Sequence, residues 1–346
     1  MNHNRRLLLV GMGSVGTSHL SKASRVFKNI TVLDVDESKA LKVQEFGESL
    51  GIETSYVKSA DFLFDGPEFD LVVLANWGPD HASTYRELSK LSNNFLIEKP
   101  LTSKIGDLLF LREEVSAGKI IVTNLQRNYS GFKEKVSDLQ GTFDLGDLCG
   151  VQLFGGAKCL VTIGIHYLSL TSKLLGQYPT SVMAITNSMN INPRRKDFLY
   201  FDGVSVWEYG GGKFLSMHLQ NNSHIGETFR VIFENGLIEV GNGLASVLAI
   251  PFEDRRFLER PTKTLYPSQP LVSFEAFTIS SEQDGLDAIY QGFEEHAHKP
   301  EDFEPGYQAT LGTIASLLSS ERKTSINIQD LESIDSQLIL KDWNIT

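Results

Sequence analysis

Cysteine is nearly missing from this sequence: Cys149 and Cys159 are the only two in 346 residues. They form no CxxC pair and stand in no Cys/His spacing suited to zinc, so a disulfide framework and a zinc fold are excluded and no metal is expected. So few thiols fit a reducing compartment. A cationic excess is missing too. Lysine and arginine number 32 against 43 acidic residues, for a formal charge of −11. Phosphate backbones demand clustered cations, so nucleic acid is excluded as the main partner. Long apolar runs are the third absence. Leu7-Leu8-Leu9-Val10 follows Arg5-Arg6 in the manner of an export signal, yet the run stops at Gly11. A signal core needs about 7–15 apolar residues and a membrane span about 18. A buried first strand, no membrane partner and a cytoplasmic location are the expectation.

What is present is ordinary globular material, 41% hydrophobic and 22% charged, without internal repeats. At roughly 100–200 residues per domain, the length calls for two domains. In the first 123 residues, short apolar runs alternate with helix-period segments. Leu7–Val10, Ile30–Leu33, Leu71–Ala75, Phe95–Ile97 and Ile120–Thr123 read as strands. Val15–Phe27, Ser38–Leu50, Asp80–Leu91 and Ser103–Ala117 read as helices, the second with Leu41, Phe46 and Leu50 on one face. That alternation predicts a doubly wound α/β fold with a parallel sheet.

Beyond residue 124 the period changes. Val151–Phe154, Gly203–Tyr209, Lys213–Gln220, Thr228–Glu234 and Leu237–Val240 read as strands parted by Gly210-Gly211-Gly212 and Asn235-Gly236. Hairpin turns of this kind predict an antiparallel sheet in a second, α+β domain. Ile163–Leu175, the Leu286/Ile289/Tyr290/Phe293 row and Tyr307–Leu318 read as helices flanking that sheet. Residues 250–273 carry Pro251, Pro261, Pro267 and Pro270 and read as a long irregular loop or arm.

Gly11-Met12-Gly13-Ser14-Val15-Gly16 is a G-x-G-x-x-G between the first strand and the first helix, the context in which the motif binds a dinucleotide. Gly11 permits the turn, Gly13 lets the backbone approach a pyrophosphate, and Gly16 lets helix and strand pack closely. The helix N-terminus offers free N–H groups to the phosphates. Asp34 ends the second strand, where a carboxylate accepts from a ribose 2′-OH and repels a 2′-phosphate, so NAD is expected ahead of NADP. The competing reading is a cap on the helix near Ser38, which Asp36 fits better. Residues 1–123 thus make a Rossmann dinucleotide-binding domain, and 124–346 a second domain.

Two segments follow strands at the carboxyl edge of the sheet: Asn76-Trp77-Gly78-Pro79-Asp80-His81 and Glu98-Lys99-Pro100. A lysine partly desolvated beside a positive nicotinamide has a lowered pKa and can move a proton on a substrate hydroxyl. Taken alone, a lysine before proline is a surface turn. Together with Gly11–Gly16, Asp34 and Gly164-Ile165-His166 entering a helix, these residues resemble the glucose-fructose oxidoreductase, inositol dehydrogenase and MocA group, the Gfo/Idh/MocA family. The resemblance runs along essentially the whole chain, and it implies that 124–346 is a substrate-binding and oligomerisation domain built on a large, mostly antiparallel open sheet. It implies that Lys99 is catalytic, that the Lys99–Pro100 bond is cis, and that Asn76, Trp77, His81, Glu98 and Lys99 line the cofactor. His81 has a second reading, as a cap on the helix after it.

Many members carry Asp-x-x-x-His in the second domain. Here the stretch is Thr162-Ile163-Gly164-Ile165-His166. The histidine matches and the acid does not, which leaves Lys99 and His166 to carry proton transfer with Thr162 nearby. Arg127-Asn128-Tyr129 resembles a segment lining the substrate cleft, with an interdomain structural arginine as the other reading. Arg194-Arg195-Lys196 and Arg255-Arg256 are solvated clusters or contacts for an acidic group. The implied activity moves a hydride between NAD and a carbinol carbon of a sugar, sugar nucleotide or polyol, in a homo-oligomer. The alternative is a non-catalytic dinucleotide sensor of the same fold.

Overall fold

Leu7–Val10, Leu71–Leu74 and Phe95–Ile97 are apolar on both faces, as parallel strands covered on both sides must be. In the computed structural model, β1 (Arg6–Val10), β2 (Asn29–Leu33), β3 (Glu53–Val57), β4 (Leu71–Leu74), β5 (Asn94–Ile97) and β6 (Ile120–Thr123) form one parallel sheet in the order β3-β2-β1-β4-β5-β6. Residues 5–156, 158–191, 199–241, 244–249, 277–278 and 282–333 are described. The proline-rich 250–273 stretch and both basic clusters lie outside the described residues. Strand order reverses between β1 and β4, so their carboxyl ends open the crevice where such sheets bind ligands.

Helices α1 (Ser14–Ala23), α2 (Lys39–Leu50), α3 (His81–Leu88) and α4 (Ile105–Ser116) fall where the pattern put them. The face of α2 is different. Leu41 and Leu50 are exposed, and Val43 and Gly47 are buried. The reason is β3, an edge strand whose polar, half-buried Glu-Thr-Ser-Tyr-Val gave no apolar signal. A Cβ on Gly47 would lie 2.2 Å from the Thr54 hydroxyl oxygen, so a glycine is what lets α2 approach this strand.

After α5 (Phe132–Thr142), the second sheet assembles from β7 (Leu148–Gly156), β8 (Ser181–Ile191), β9 (Leu199–Tyr209), β10 (Lys213–Gln220), β11 (Thr228–Phe233), β12 (Gly236–Gly241), β13 (Leu244–Ala249), β14 (Phe277–Thr278) and β15 (Ile326–Asn327). Its order is β14-β13-β12-β11-β7-β10-β9-β8-β15. β7 and β10 pair in parallel; the other described pairs are antiparallel. Alternation along β9 turns Ser205, Trp207 and Tyr209 inward and Val204 and Val206 outward. Helix α6 (Ile165–Leu175) and helix α8 (Glu304–Arg322) belong to the core against the inner face, and the outer face stays open.

One helix departs from expectation. Helix α7 (Glu282–Glu294) does not flank the second sheet. Its Leu286, Ile289, Tyr290 and Phe293 join Leu7, Leu9, Leu20, Phe27 and Val32 in the core of the first domain. Asp287 of α7 accepts from Lys22 at 2.6 Å and Arg25 at 2.8 Å, both on α1 or at its end. Periodicity reveals which face a helix buries, and it is silent on which domain receives that face. Because Ile289 is fully buried in that cluster, Ile289→Ala should lower the urea-unfolding free energy by about 2–5 kcal/mol. A loss of only a few tenths, as for a surface site, would contradict the docking of this helix.

Candidate active site

The glycine loop joins β1 to α1. Gly11 has φ +90°, and a Cβ there would meet the Ala75 carbonyl and the Asn76 backbone at 2.9 Å. A Cβ on Gly16 would stand 1.9 Å from the Gly11 carbonyl oxygen, so the helix can leave the loop only from a glycine. Gly13 is different: nothing lies within 4 Å of the place where its Cβ would be. That open space adjoins the α1 N-terminus, which has no side-chain cap. Free N–H groups facing open space fit a dinucleotide pyrophosphate. Ser14 and Val15 are exposed beside it, whereas Met12 is buried in the core beneath.

Asp34 braces the loop. Its Oδ2 accepts from the Met12 N–H at 2.6 Å and its Oδ1 from the Asp36 N–H at 2.9 Å. Each oxygen keeps a lone pair for a ribose hydroxyl. Asp36 accepts from the Ser38 N–H at 3.0 Å and the Ser38 hydroxyl at 2.6 Å, so it orders the entry to α2.

Glu98-Lys99-Pro100 follows β5, and the Lys99–Pro100 bond is cis. Lys99 Nζ crosses to the second domain and donates to the Thr162 carbonyl at 2.9 Å. Glu98 is buried and turns toward protein. Its Oε1 lies 2.9 Å from His19 Nε2 and 2.6 Å from Asn124 Nδ2, and its Oε2 accepts from the Lys99 N–H at 3.3 Å. Burial opposes ionisation of this carboxyl. The hydrogen bond and charge of His19, the charge of Lys99 and the Asn124 amide outweigh it and hold the group down at about 2. His81 is buried as well. Its Nδ1 lies 3.0 Å from the Pro100 carbonyl and its Nε2 3.3 Å from the Asn76 carbonyl, and burial pushes its pKa down. It ties the two loops together from beneath. Asn76 donates to Thr84 at 2.9 Å while its Oδ1 is buried without a protein partner among the described residues, and Trp77 is half-exposed.

From the second domain, a π-helical turn at Leu160–Gly164 leads into α6 and delivers Thr162 and His166. Burial, then the positive charges of Lys99 and Arg127, hold the His166 pKa well below its ordinary value, so the ring is neutral. Its Nδ1 is buried with no protein partner among the described residues. Arg127 donates to the Tyr167 hydroxyl at 2.9 Å and pairs with Glu227 at 3.4 Å. Glu227 is held also by Lys158 at 2.9 Å and by the Tyr167 hydroxyl. Asn128 donates to Ser169 at 2.7 Å and leaves its own Oδ1 buried and unpartnered among the described residues. Lys99, Thr162, His166 and Arg127 therefore converge. Tyr129 does not join them; it turns toward α7, with its ring 6.2 Å from that of His298. His19, Asn124, Tyr290, Lys158 and Glu227 were not visible from the sequence. His19 and Tyr290 carried a signal, His19 in the buried row of α1 with Gly16, Leu20 and Ala23, and Tyr290 in the apolar row of α7.

Residues 5–123 match the model of the Gfo/Idh/MocA family, described as an oxidoreductase family with an NAD-binding Rossmann fold. Inositol 2-dehydrogenase 3 of Saccharopolyspora erythraea is 27% identical over 135 residues, 37% of this chain and 38% of that enzyme. Myo-inositol 2-dehydrogenase of Thermotoga maritima is 26% identical over 140 residues, 38% of this chain and 41% of that enzyme. The chain thus spans about two fifths of the length of these curated relatives. Solved structures share the fold over both domains. An Agrobacterium radiobacter oxidoreductase in complex with NAD+, L-tartaric acid and magnesium superposes with a TM-score of 0.71 at 15% identity, covering 94% of this chain and 99% of its own. Levoglucosan dehydrogenase in complex with NADH and levoglucosan gives 0.68 at 14% identity, with the same coverage.

Two glycines of one loop should respond in opposite ways. Gly13→Asp places a favourable N-cap on α1, so unfolding free energy should hold or rise by a few tenths of a kcal/mol. NAD+ affinity by calorimetry should still fall by roughly tenfold or more, because the carboxylate takes and repels the pyrophosphate's place. Gly16→Ala should instead destabilise by about 1–3 kcal/mol through overpacking. Retained NAD+ affinity in Gly13→Asp would rule out this cradle.

Proposed function

We propose that this chain, whose residues 5–123 form an NAD-binding Rossmann domain of the Gfo/Idh/MocA oxidoreductase family, is a dehydrogenase or reductase acting on a carbinol carbon of a polyol, sugar or sugar nucleotide. The observation that carries this reading is the meeting of Lys99 Nζ with the Thr162 carbonyl across the domain boundary, beside a neutral His166 whose buried Nδ1 lacks a protein partner. The dinucleotide, when bound, supplies the two-electron redox chemistry. Lys99 exchanges a proton with the substrate hydroxyl. His166, neutral, directs Nδ1 at the same hydroxyl or its neighbour and holds it in line. Thr162 offers a hydroxyl and a carbonyl without adding charge. The charge of Arg127 is met by Glu227, so the cleft favours hydroxyl groups over a carboxylate. The names of the inositol and levoglucosan dehydrogenases support a substrate of that kind.

Replacing Lys99 with methionine keeps the stem and removes the amine. In Lys99→Met, NAD+ affinity should stay close to wild type, and turnover should fall by about 10²–10⁴-fold. The assay is NADH absorbance with myo-inositol, levoglucosan, hexoses and nucleotide sugars as alternative substrates. Unchanged turnover would remove Lys99 from the chemistry. Tight NAD+ binding by a wild type that turns over none of these would favour the sensor reading. Wild type should also bind NAD+ more tightly than NADP+, with Asp34→Ala narrowing the gap; tighter NADP+ binding would overturn the role of Asp34.

The outer face of the second sheet exposes Met183, Ile185, Val204 and Val206 side by side. A second copy of the chain would cover this apolar face. Light scattering should then show an oligomer that Ile185→Glu dissociates; a monomeric wild type would remove this assembly.

A further inference from the structure

The carboxylate of Glu98 is costly where it sits. A glutamine would accept the bonds of His19 and Asn124 equally well, since both reach Oε1. Only the weak bond from the Lys99 N–H goes to Oε2. Burying a charge that neutral chemistry could replace needs a beneficiary. Two cations can benefit: His19, whose Nε2 stands 2.9 Å away, and after it the Lys99 ammonium, whose charge also acts on Glu98.

The chain of contacts continues away from the cleft. His19 Nδ1 lies 2.8 Å from the Tyr290 hydroxyl, and the ring and hydroxyl are both buried. A ring with its Nε2–H facing Glu98 satisfies both contacts. Tyr290 stays protonated, because burial and then Glu98 push its pKa well above the ordinary value. The charged and titratable groups around Lys99 come from separate elements. Glu98 ends β5, His19 comes from α1, His81 from α3, Arg127 from the turn after β6, and His166 from α6. Lys99 and Arg127 depress the basicity of His166, and Glu98 is the carboxylate that opposes them.

We propose that Tyr290, His19 and Glu98 form a buried hydrogen-bonded chain that positions Lys99 and sets the affinity of its amine for a proton, so that α7 tunes proton transfer in the cleft. Glu98 acts here as a positioning residue, as do His19 and Tyr290. The inference rests on the reading of Lys99 as the proton-transfer group. Its test reads the amine itself and is independent of substrate.

The lysines of the full chain are reductively methylated with ¹³C, and the Lys99 resonance, identified by its loss in Lys99→Met, is titrated by NMR with NAD+ bound. Glu98→Gln should lower the Lys99 midpoint by about one pH unit or more, since a neighbouring opposite charge is lost. Tyr290→Phe, which removes one hydroxyl and keeps the ring, should move the midpoint in the wild-type background and leave it unmoved in the Glu98→Gln background. NAD+ affinity reports that each variant is folded; should Glu98→Gln fail that check, Tyr290→Phe decides alone. A midpoint that ignores both substitutions overturns the proposal. Full turnover by Lys99→Met would instead strike the parent reading and leave the titration result intact.

Discussion

A carboxylate shut away from water must find all its partners in protein, and Glu98 finds them in three separate stretches of chain. His19 reaches it from the helix that leaves the glycine loop, Asn124 from the end of β6, and the Lys99 N–H from its own strand end. Satisfying this one group fixes how α1 sits over the sheet edge. It thereby fixes where the α1 N-terminus and the Lys99 backbone stand relative to each other. The glycine loop and Lys99 share a common anchor. His81 repeats the logic on the other side, tying the Asn76 and Pro100 carbonyls from a buried position.

The cleft between the domains is built by opposed charges held apart by packing. Burial, and after it the positive charges of Lys99 and Arg127, keep the His166 imidazole neutral. Arg127 is itself met by a counter-charge. Glu227 engages it, with Tyr167 and Lys158 completing the cluster. The lost acid at Thr162 is consistent with this arrangement, because a carboxylate there would compete with Glu98 for the Lys99 ammonium. The backbone carbonyl of Thr162 holds the amine with a dipole in place of a charge.

Most of the architecture was legible from periodicity. Buried strands such as Leu71–Leu74 and the glycine loop declare themselves, because apolar runs and fixed glycine spacing arise from local geometry. The edge strand Glu53–Val57 was missed because a half-exposed edge has no need of an apolar row. The faces of α2 and α7 were misread in partner or orientation because tertiary contacts decide them. The site divides in the same way. Lys99, Thr162 and His166 were singled out by the family resemblance of the segments that carry them. Glu98 and His81 read as cofactor contacts from their position in loops, yet their side chains turn inward and engage protein groups. Tyr290 and Glu227 lie far along the chain from their partners, a relationship that no local pattern encodes.

The return of α7 to the first domain has a consequence during synthesis. The glycine loop, β1 and α1 leave the ribosome early, but Leu286, Ile289, Tyr290 and Phe293 arrive only after β7 to β14 of the second sheet have been made. Until then the nascent first domain presents an apolar face around Leu20 and Phe27, and His19 lacks the Tyr290 hydroxyl. Such long-range closure is slow and leaves a sticky intermediate exposed. The core of the first domain is therefore closed late, when α7 docks on it.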